Sequence, residues 1–264
     1  MSLRGKRIAI VATRRAEELM DKISAMGGKP TVEDFVFMRS VQEEKTIESL
    51  KECLSTNPEI FIFTTGEGAK LLFHRAKVGG LYQTLVEGMK GGLVIARGYK
   101  ARVELIRQGL SGFLIVEGTE DVKGILKDKE LKGKSVLLQT YGEDVPLLIG
   151  WLEEMGAKVF RIWTYRYLED EEKTDKFINR LISGFYHAVL FTSAYQVSYL
   201  FRRAKKRSLH NELSVSFNKK IFVFAVGRTT ARKLFENGVL RIYYPEKERL
   251  SGAIEELKKV FENA

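Results

Sequence analysis

Six short stretches carry residue types that could hold a polyanion. They are Thr13-Arg14-Arg15, Thr64-Thr65-Gly66, Arg97-Gly98-Tyr99-Lys100, Thr140-Tyr141-Gly142, Thr192-Ser193-Ala194 and Gly227-Arg228-Thr229-Thr230. Each follows an apolar run and offers hydroxyls, glycines or cations, often just where a helical pattern begins. The first turn of a helix exposes unsatisfied backbone N–H groups and a partial positive charge, which together attract anions. Any one hydroxyl at such a place is accounted for as a helix cap. Several such turns facing one cleft favour a ligand with many negative groups.

The elements that would position these turns alternate along the chain. Strand signals fall at 7–12, 32–38, 60–63, 93–96, 113–116, 135–139, 159–167, 188–191, 221–225 and 240–244. Helical patterns fall at 14–26, 47–54, 67–75, 100–108, 121–126, 144–155, 173–182, 194–204, 230–237 and 251–261. The strands are short and apolar on both faces, which is the mark of parallel sheets covered by helices on both sides. In such sheets ligands lie beyond the carboxyl ends of the strands, where all six turns fall.

The plan occurs twice. Leu3-Arg4-Gly5-Lys6 returns as Leu131-Lys132-Gly133-Lys134, an offset of 128 residues. Ile60-Phe61-Ile62-Phe63-Thr64-Thr65 returns as Ala188-Val189-Leu190-Phe191-Thr192-Ser193 at the same offset. Gly98 and Gly109 return as Gly227 and Gly238 at an offset of 129. A period of this length is one domain, not a solenoid. The expected architecture is therefore α/β, with two similar domains and a site in the space between them. The stretches 31–41 and 161–170 are extended, aromatic-rich and one repeat apart, and are expected to pair as a two-stranded connector.

Composition narrows the class. In 264 residues there is room for two cores, and 44% apolar content excludes disorder for most of the chain. No apolar run approaches a membrane span, and no signal-peptide pattern opens the sequence. Cys53 is the single cysteine, so the chain forms no internal disulfide; the cytoplasm is the expected compartment and the core the expected place for Cys53. The net charge of +10 suits a polyanionic ligand, although a solvated Lys/Glu-rich surface explains it as well. The densest basic run, Arg202-Arg203-Ala204-Lys205-Lys206-Arg207, reads as a solvated helix end. No helix-turn-helix or RNP pattern supports nucleic-acid binding. The sequence holds no phosphate-binding G-x-x-x-x-G-K-[ST] loop, no G-x-G-x-x-G after a strand and no G-x-S-x-G elbow. His74, His187 and His210 show no metal-ligand spacing, so no metal is expected.

These turns resemble those of the uroporphyrinogen-III synthase family over nearly the whole chain. Thr13-Arg14 after the first strand resembles the family's opening turn. Phe191-Thr192-Ser193-Ala194 resembles its Phe-Thr-Ser motif, with Phe63-Thr64-Thr65 as the first-half counterpart. Val226-Gly227-Arg228-Thr229-Thr230-Ala231, followed by Gly238, is the most specific match. Thr164-Tyr165-Arg166 resembles the tyrosine-bearing end of the second connector, and Pro245 with the helix from Leu250 the closing segment. The departures are Arg15 where proline is common, Glu67 where a neutral or basic residue is usual, and Thr140-Tyr141-Gly142-Glu143 without an arginine.

The resemblance implies two parallel-sheet three-layer domains joined by a two-stranded β connector. Domain one would be discontinuous, 1–36 plus 170–264, and domain two would be 40–162. It implies a cofactor-free, cytoplasmic, monomeric lyase acting on hydroxymethylbilane, a linear tetrapyrrole with eight carboxylates. The product would be uroporphyrinogen III, formed through a spiro intermediate with ring D inverted and water lost. The six turns would bind substrate, and Tyr165 would stand nearest the leaving hydroxyl. Two other functions remain open from the residues: a non-catalytic anion-binding or regulatory protein on the same scaffold, and a nucleotide-sugar transferase, for which the chain is short.

Overall fold

The computed structural model describes residues 2–12, 15–141, 145–246 and 249–262. The first copy of the repeat runs through β1 (Arg7–Val11), α1 (Ala16–Ala25), β2 (Lys29–Val32), β3 (Val36–Ser40), α2 (Glu43–Ser55), β4 (Ile60–Phe63), α3 (Gly66–Val78), α4 (Tyr82–Gly91), β5 (Leu93–Arg97), α5 (Gly98–Arg107), β6 (Leu114–Val116) and α6 (Thr119–Leu126). The second runs through β7 (Ser135–Thr140), α7 (Pro146–Glu154), β8 (Lys158–Trp163), β9 (Tyr165–Glu169), α8 (Glu171–Ile182), β10 (Ala188–Phe191), α9 (Ala194–Lys206), α10 (His210–Lys219), β11 (Phe222–Ala225), α11 (Arg228–Glu236), β12 (Ile242–Tyr243) and α12 (Leu250–Glu262).

The two copies do not fold separately. One parallel sheet has the order β6-β5-β4-β7-β8 and the other β12-β11-β10-β1-β2. Each therefore takes three strands from one copy and two from the other. The chain divides accordingly into a first unit, Met1–Phe37 with Glu169–Ala264, and a second, Met38–Leu168. Equivalent strands keep their register: Phe63 faces Gln139, and Phe191 faces Val11, each position 128 residues from its counterpart. β3 and β9 form the separate two-stranded antiparallel sheet.

In the second unit, alternate residues of β4 feed two cores. Phe61 and Phe63 pack with Leu72, Phe73 and Leu105 on one face. Ile60 and Ile62 pack with Val122, Leu126 and Leu148 on the other. Cys53 is fully buried in the first of these, which pushes its thiol up to about 12. The first unit repeats one such layer with Ile8, Ile10, Ala188, Leu190 and Leu257.

Two expectations need correction. The extended stretch 159–167 is not one strand; β8 and β9 belong to different sheets and part at Thr164. The Thr164 carbonyl accepts from the Val41 N–H at 3.2 Å and from Arg75 Nη1 at 2.8 Å. Likewise 32–38 is split between the end of β2 and the start of β3. The helices α4 and α10 carry weak start signals; neither has a side-chain cap, and their patterns merge with the preceding loops.

Arg75 holds the connector to the second unit. It is 2% exposed, and no carboxylate pairs with it among the described residues. Its guanidinium donates to Thr46 Oγ1 and the Thr164 carbonyl at 2.8 Å, to the Val41 carbonyl at 2.7 Å and to Ser40 Oγ. One side chain thus ties α3 to α2, to the end of β3 and to the start of β9. Burial draws its pKa down, against the opposing field of Glu43. At the far end of the first sheet, His187 Nδ1 accepts the Arg7 N–H at 2.9 Å. Glu59 does the same for Ser135 in the second sheet, at 3.0 Å.

Arg75→Met removes all four donors and leaves buried acceptors unpaired. It is expected to lower stability by about 3 kcal/mol in urea denaturation. A loss under about 1 kcal/mol would show that the connector is held by other contacts. His187 gives a pH signature. Burial and then Arg7 and Lys6 lower its pKa, and protonating Nδ1 forfeits the Arg7 N–H bond. Its contribution is therefore whole above the ordinary histidine value of about 6.5 and is lost as pH falls below that, through the depressed folded value. His187→Gln keeps an acceptor without a titration and is expected to flatten thermal stability between about pH 5 and 7. An unaltered slope would assign the acid sensitivity to other groups.

Candidate functional site

In the second unit, β4, β5 and β7 end side by side, and the two middle strands β4 and β7 wind away in opposite directions. Their carboxyl ends carry three of the six turns. α3 starts at Gly66 with Thr65 as its cap, Oγ1 accepting the Gly68 N–H at 3.1 Å. Thr64 is buried, and its hydroxyl donates to the Gln139 carbonyl at 2.7 Å. The Gln139 side chain completes this corner. Its Oε1 accepts the N–H groups of Thr64 and Thr65, each at 3.2 Å, and its Nε2 donates to the Thr140 carbonyl at 2.7 Å. The amide fills the space over α3, so a Cβ on Gly68 would collide with Nε2. Gly66 is equally constrained, with the Lys100 carbonyl 2.5 Å from where its Cβ would be. The starts of α3 and α5 are therefore in close contact.

The start of α5 differs from that of α3. Its cap position is Arg97 and no side chain caps it; Gly98 follows with φ 78°, a left-handed conformation that suits glycine. Tyr99 and Lys100 are exposed beside it. Arg97 donates from Nε to the Thr64 carbonyl at 3.2 Å and from Nη2 to Tyr141 Oη at 3.0 Å. Its guanidinium also lies 5.6 Å from the Tyr141 ring centre. Both hydrogen-bond partners are neutral, so the positive charge stays unneutralised by them.

Tyr141, Tyr165 and Tyr167 cluster, with ring centres 5.6–6.5 Å apart. Tyr165 is 3% exposed, and its hydroxyl donates to Thr65 Oγ1 at 3.2 Å. Burial foremost, and then the neighbouring Tyr167, push its pKa far up, so this phenol stays protonated. Thr140 is also buried, and its Oγ1 has no hydrogen-bond partner among the described residues.

The first unit presents the same frame with other contents. Thr192 Oγ1 donates to the Val11 carbonyl at 2.9 Å and Ser193 Oγ caps α9, accepting the Tyr195 N–H at 3.2 Å. Ala194 opens α9 where Gly66 opens α3. α11 starts after Gly227 with no side-chain cap; Arg228 and Thr229 are exposed on its first turn and Thr230 is buried. Thr13, Arg14 and Gly142 lie outside the described residues. Arg15 has φ 56°, which a proline could not adopt. Glu67 places a negative charge in the first turn of α3.

Sequence reasoning missed Gln139 and Tyr167. A signal for Gln139 was present. At an offset of 128, Gln139 corresponds to Val11, and Gly68 to Gln196. Gln196 is buried, and its Oε1 lies 3.3 Å from Thr192 Oγ1, as Gln139 Oε1 lies 3.4 Å from Thr64 Oγ1. One unit supplies the amide from the strand, the other from the helix. The basic run at 202–207 is not simply solvated: Arg202 pairs with Glu169, Arg203 with Asp175 and Glu171, and Arg207 with Asp175. Among the described residues no group of three or more His, Cys, Asp or Glu is placed to hold a metal, and no helix is long and apolar enough to cross a membrane. An open groove of about 490 Å³ between α2 and β8 is lined by Glu52, Trp163 and Arg166 and by none of the six turns.

Gly68→Ala and Gln139→Val should each destabilise the second unit, by roughly 1–3 kcal/mol. The double change Gly68→Gln with Gln139→Val copies the first unit and should recover much of the loss. A double-mutant cycle in urea should give a coupling above about 1 kcal/mol. Additive effects would mean that the two positions do not share one amide site.

The family profile described as "Uroporphyrinogen-III synthase HemD" matches residues 17–255. A Bacillus subtilis protein named "Uncharacterized protein YjjA" is 34% identical over 265 residues, covering 98% of this chain and 97% of its own. A crystal structure of a mutant uroporphyrinogen III synthase from the extremely thermophilic bacterium Thermus thermophilus superposes with a TM-score of 0.86 at 27% identity, covering 98% of this chain and all of that one. A second structure of Thermus thermophilus uroporphyrinogen III synthase gives 0.66 at 30% identity, covering 96% and 98%.

Proposed function

The chain belongs to the uroporphyrinogen-III synthase family, and from that premise we propose that it cyclises hydroxymethylbilane to uroporphyrinogen III. In this reaction the terminal hydroxyl leaves as water, ring D attacks through a spiro intermediate, and the macrocycle closes with ring D inverted. The enzyme is on this proposal a cofactor-free lyase, working as a cytoplasmic monomer. The observation that carries it is that two helix starts at the carboxyl ends of sheet strands, at Gly98 and after Gly227, have no side-chain cap and bear exposed polar or cationic residues. Each leaves N–H donors open beside exposed polar or cationic residues: Tyr99 and Lys100 in one unit, Arg228 and Thr229 in the other. A substrate with eight carboxylates needs such donors, and a chain of net charge +10 gives them a favourable field.

The chemistry asks little of ionised side chains. The bilane also closes spontaneously to the wrong isomer, so the enzyme must hold it bent, which is catalysis by positioning. Arg97, held by the Thr64 carbonyl and Tyr141, takes one carboxylate. Thr65, Gly66, Thr140, Ser193, Ala194 and Thr230 shape the turns around the others. Tyr165 stands at the leaving hydroxyl. Burial keeps this phenol protonated and makes it a weaker acid, so it gives up its proton only as the departing oxygen gains charge when the C–O bond breaks.

The decisive assay uses freshly made hydroxymethylbilane and resolves the type I and type III products. Type III isomer is expected without added metal, and chelator should not abolish it. Tight binding with only type I product would make this a non-catalytic anion-binding member of the family. Tyr165→Phe keeps the ring and removes the hydroxyl. It should lower kcat by about 100-fold while changing the melting temperature little. Wild-type turnover in that variant would reduce Tyr165 to packing. Thr229→Ala should cost only about 1–2 kcal/mol of transition-state binding, and added salt should raise KM. Abolition of turnover by Thr229→Ala in a folded protein would instead mark a dominant catalytic group.

A further inference from the structure

The two units have nearly the same frame, so the places where they differ show which one is fitted for chemistry. In the connector the offset is 129: the Asp170 N–H bonds the Phe35 carbonyl as the Val41 N–H bonds the Thr164 carbonyl. Tyr165 therefore corresponds to Val36, and Tyr167 to Met38. The two strands share one burial pattern, so the positions match in environment as well as in order. Arg97, at the same offset, corresponds to Val226. Thr65 corresponds to Ser193. Both cap a helix, and Thr65 in addition accepts a hydrogen bond from the phenol of Tyr165.

We infer that Thr65 is a positioning residue for Tyr165, held in register by the Gln139 amide, and that this places the departing hydroxyl of the substrate at the second unit. The inference rests on the proposed cyclisation. Its geometry is independent of it. Gln139 Oε1 fixes the backbone of Thr64 and Thr65 through their N–H groups. The Gly68 N–H fixes Thr65 Oγ1, and Thr65 Oγ1 receives the Tyr165 hydroxyl. The Tyr165 O–H points at Thr65 Oγ1, so Thr65 fixes the place of the phenol oxygen, and the hydrogen turns from there to the departing oxygen of the substrate. The first unit's counterpart pairs Ser193 with Val36, which carries no hydroxyl to orient.

The test follows Tyr165 itself, with turnover beside it. Protein carrying ¹³Cζ-labelled tyrosine gives a phenol carbon resonance for Tyr165, assigned by its loss in Tyr165→Phe. Thr65→Val keeps the shape of the side chain and removes the hydroxyl. It should move the Tyr165 resonance and lower kcat roughly 10- to 100-fold, with a smaller change in KM. Thr65→Ser should restore both. Ser193→Ala, which removes the corresponding cap in the first unit, should leave the Tyr165 resonance where it is. An unmoved resonance in folded Thr65→Val overturns the inference. So does a moved resonance with kcat unchanged, or a fall in kcat that Thr65→Ser does not rescue. If wild-type protein makes no type III isomer, the proposed function fails instead; the resonances then still decide whether Thr65 orients Tyr165.

Discussion

The structure depends on one parallel strand pair made twice: β4 beside β7, and β10 beside β1. In each pair the chain winds outward in opposite directions, to β5 and β6 on one side and to a single further strand on the other. Right-handed crossovers then send the helices after the paired strands to opposite faces of the sheet. The carboxyl ends of the pair leave room for a polar corner, in which the buried Thr64 and Gln139 bond each other and the strand carbonyls. Both members of each pair come from different copies of the repeat. A single copy holds three strands of one sheet and two of the other, so it cannot make the pair alone. The polar corner exists only because the copies exchange strands.

The repeat and the α/β alternation were legible because they depend on apolar periodicity and on glycines, which local sequence records. The strand exchange was not legible in the period. Folded separately or exchanged, two copies give the same 128-residue offset; only the resemblance to a family indicated a discontinuous first domain. The break at Thr164 was hidden for a related reason. Val159–Tyr167 is continuously β-prone, yet the chain parts at Thr164, whose carbonyl is bound by Arg75, 89 residues earlier, and by the Val41 N–H. Arg75 itself reads as an ordinary cation in the last turn of a helix. Its burial follows from tertiary packing.

Comparison of the two copies shows how one frame accepts different side chains. Arg75 corresponds to Arg203 at an offset of 128. Arg203 is paired with Asp175, Nε and Nη2 each 2.8 Å from a carboxylate oxygen, and also meets Glu171. Arg75 is fully buried and meets only hydroxyls and carbonyls. A charge solvated by neutral dipoles has lost water without gaining an opposite charge, so its worth lies in geometry: four N–H bonds from one planar group locate three chain segments at once. The same substitution of means appears in the amide over the central strands, supplied by Gln139 in one copy and Gln196 in the other. The frame requires a group at that point and is indifferent to which element brings it.

That indifference limits what the hydroxyls of the site can do. Thr64 and Thr192 donate to strand carbonyls, and Thr65 and Ser193 cap helices. Hydroxyls engaged in this way have little left for a ligand. On the proposed function, anion recognition then falls on helix starts without a side-chain cap, those at Gly98 and Gly227 among them, and on Arg97, whose hydrogen-bond partners are neutral. Backbone N–H groups and a guanidinium held by a carbonyl and a phenol are fixed before any ligand arrives, so they need not reorganise to bind one. On the proposed function, donors fixed in this way in either unit discriminate by the spacing of negative charges more than by the identity of any single group. For a flexible chain of carboxylate-bearing rings, that spacing is what separates the bent conformer from the extended one.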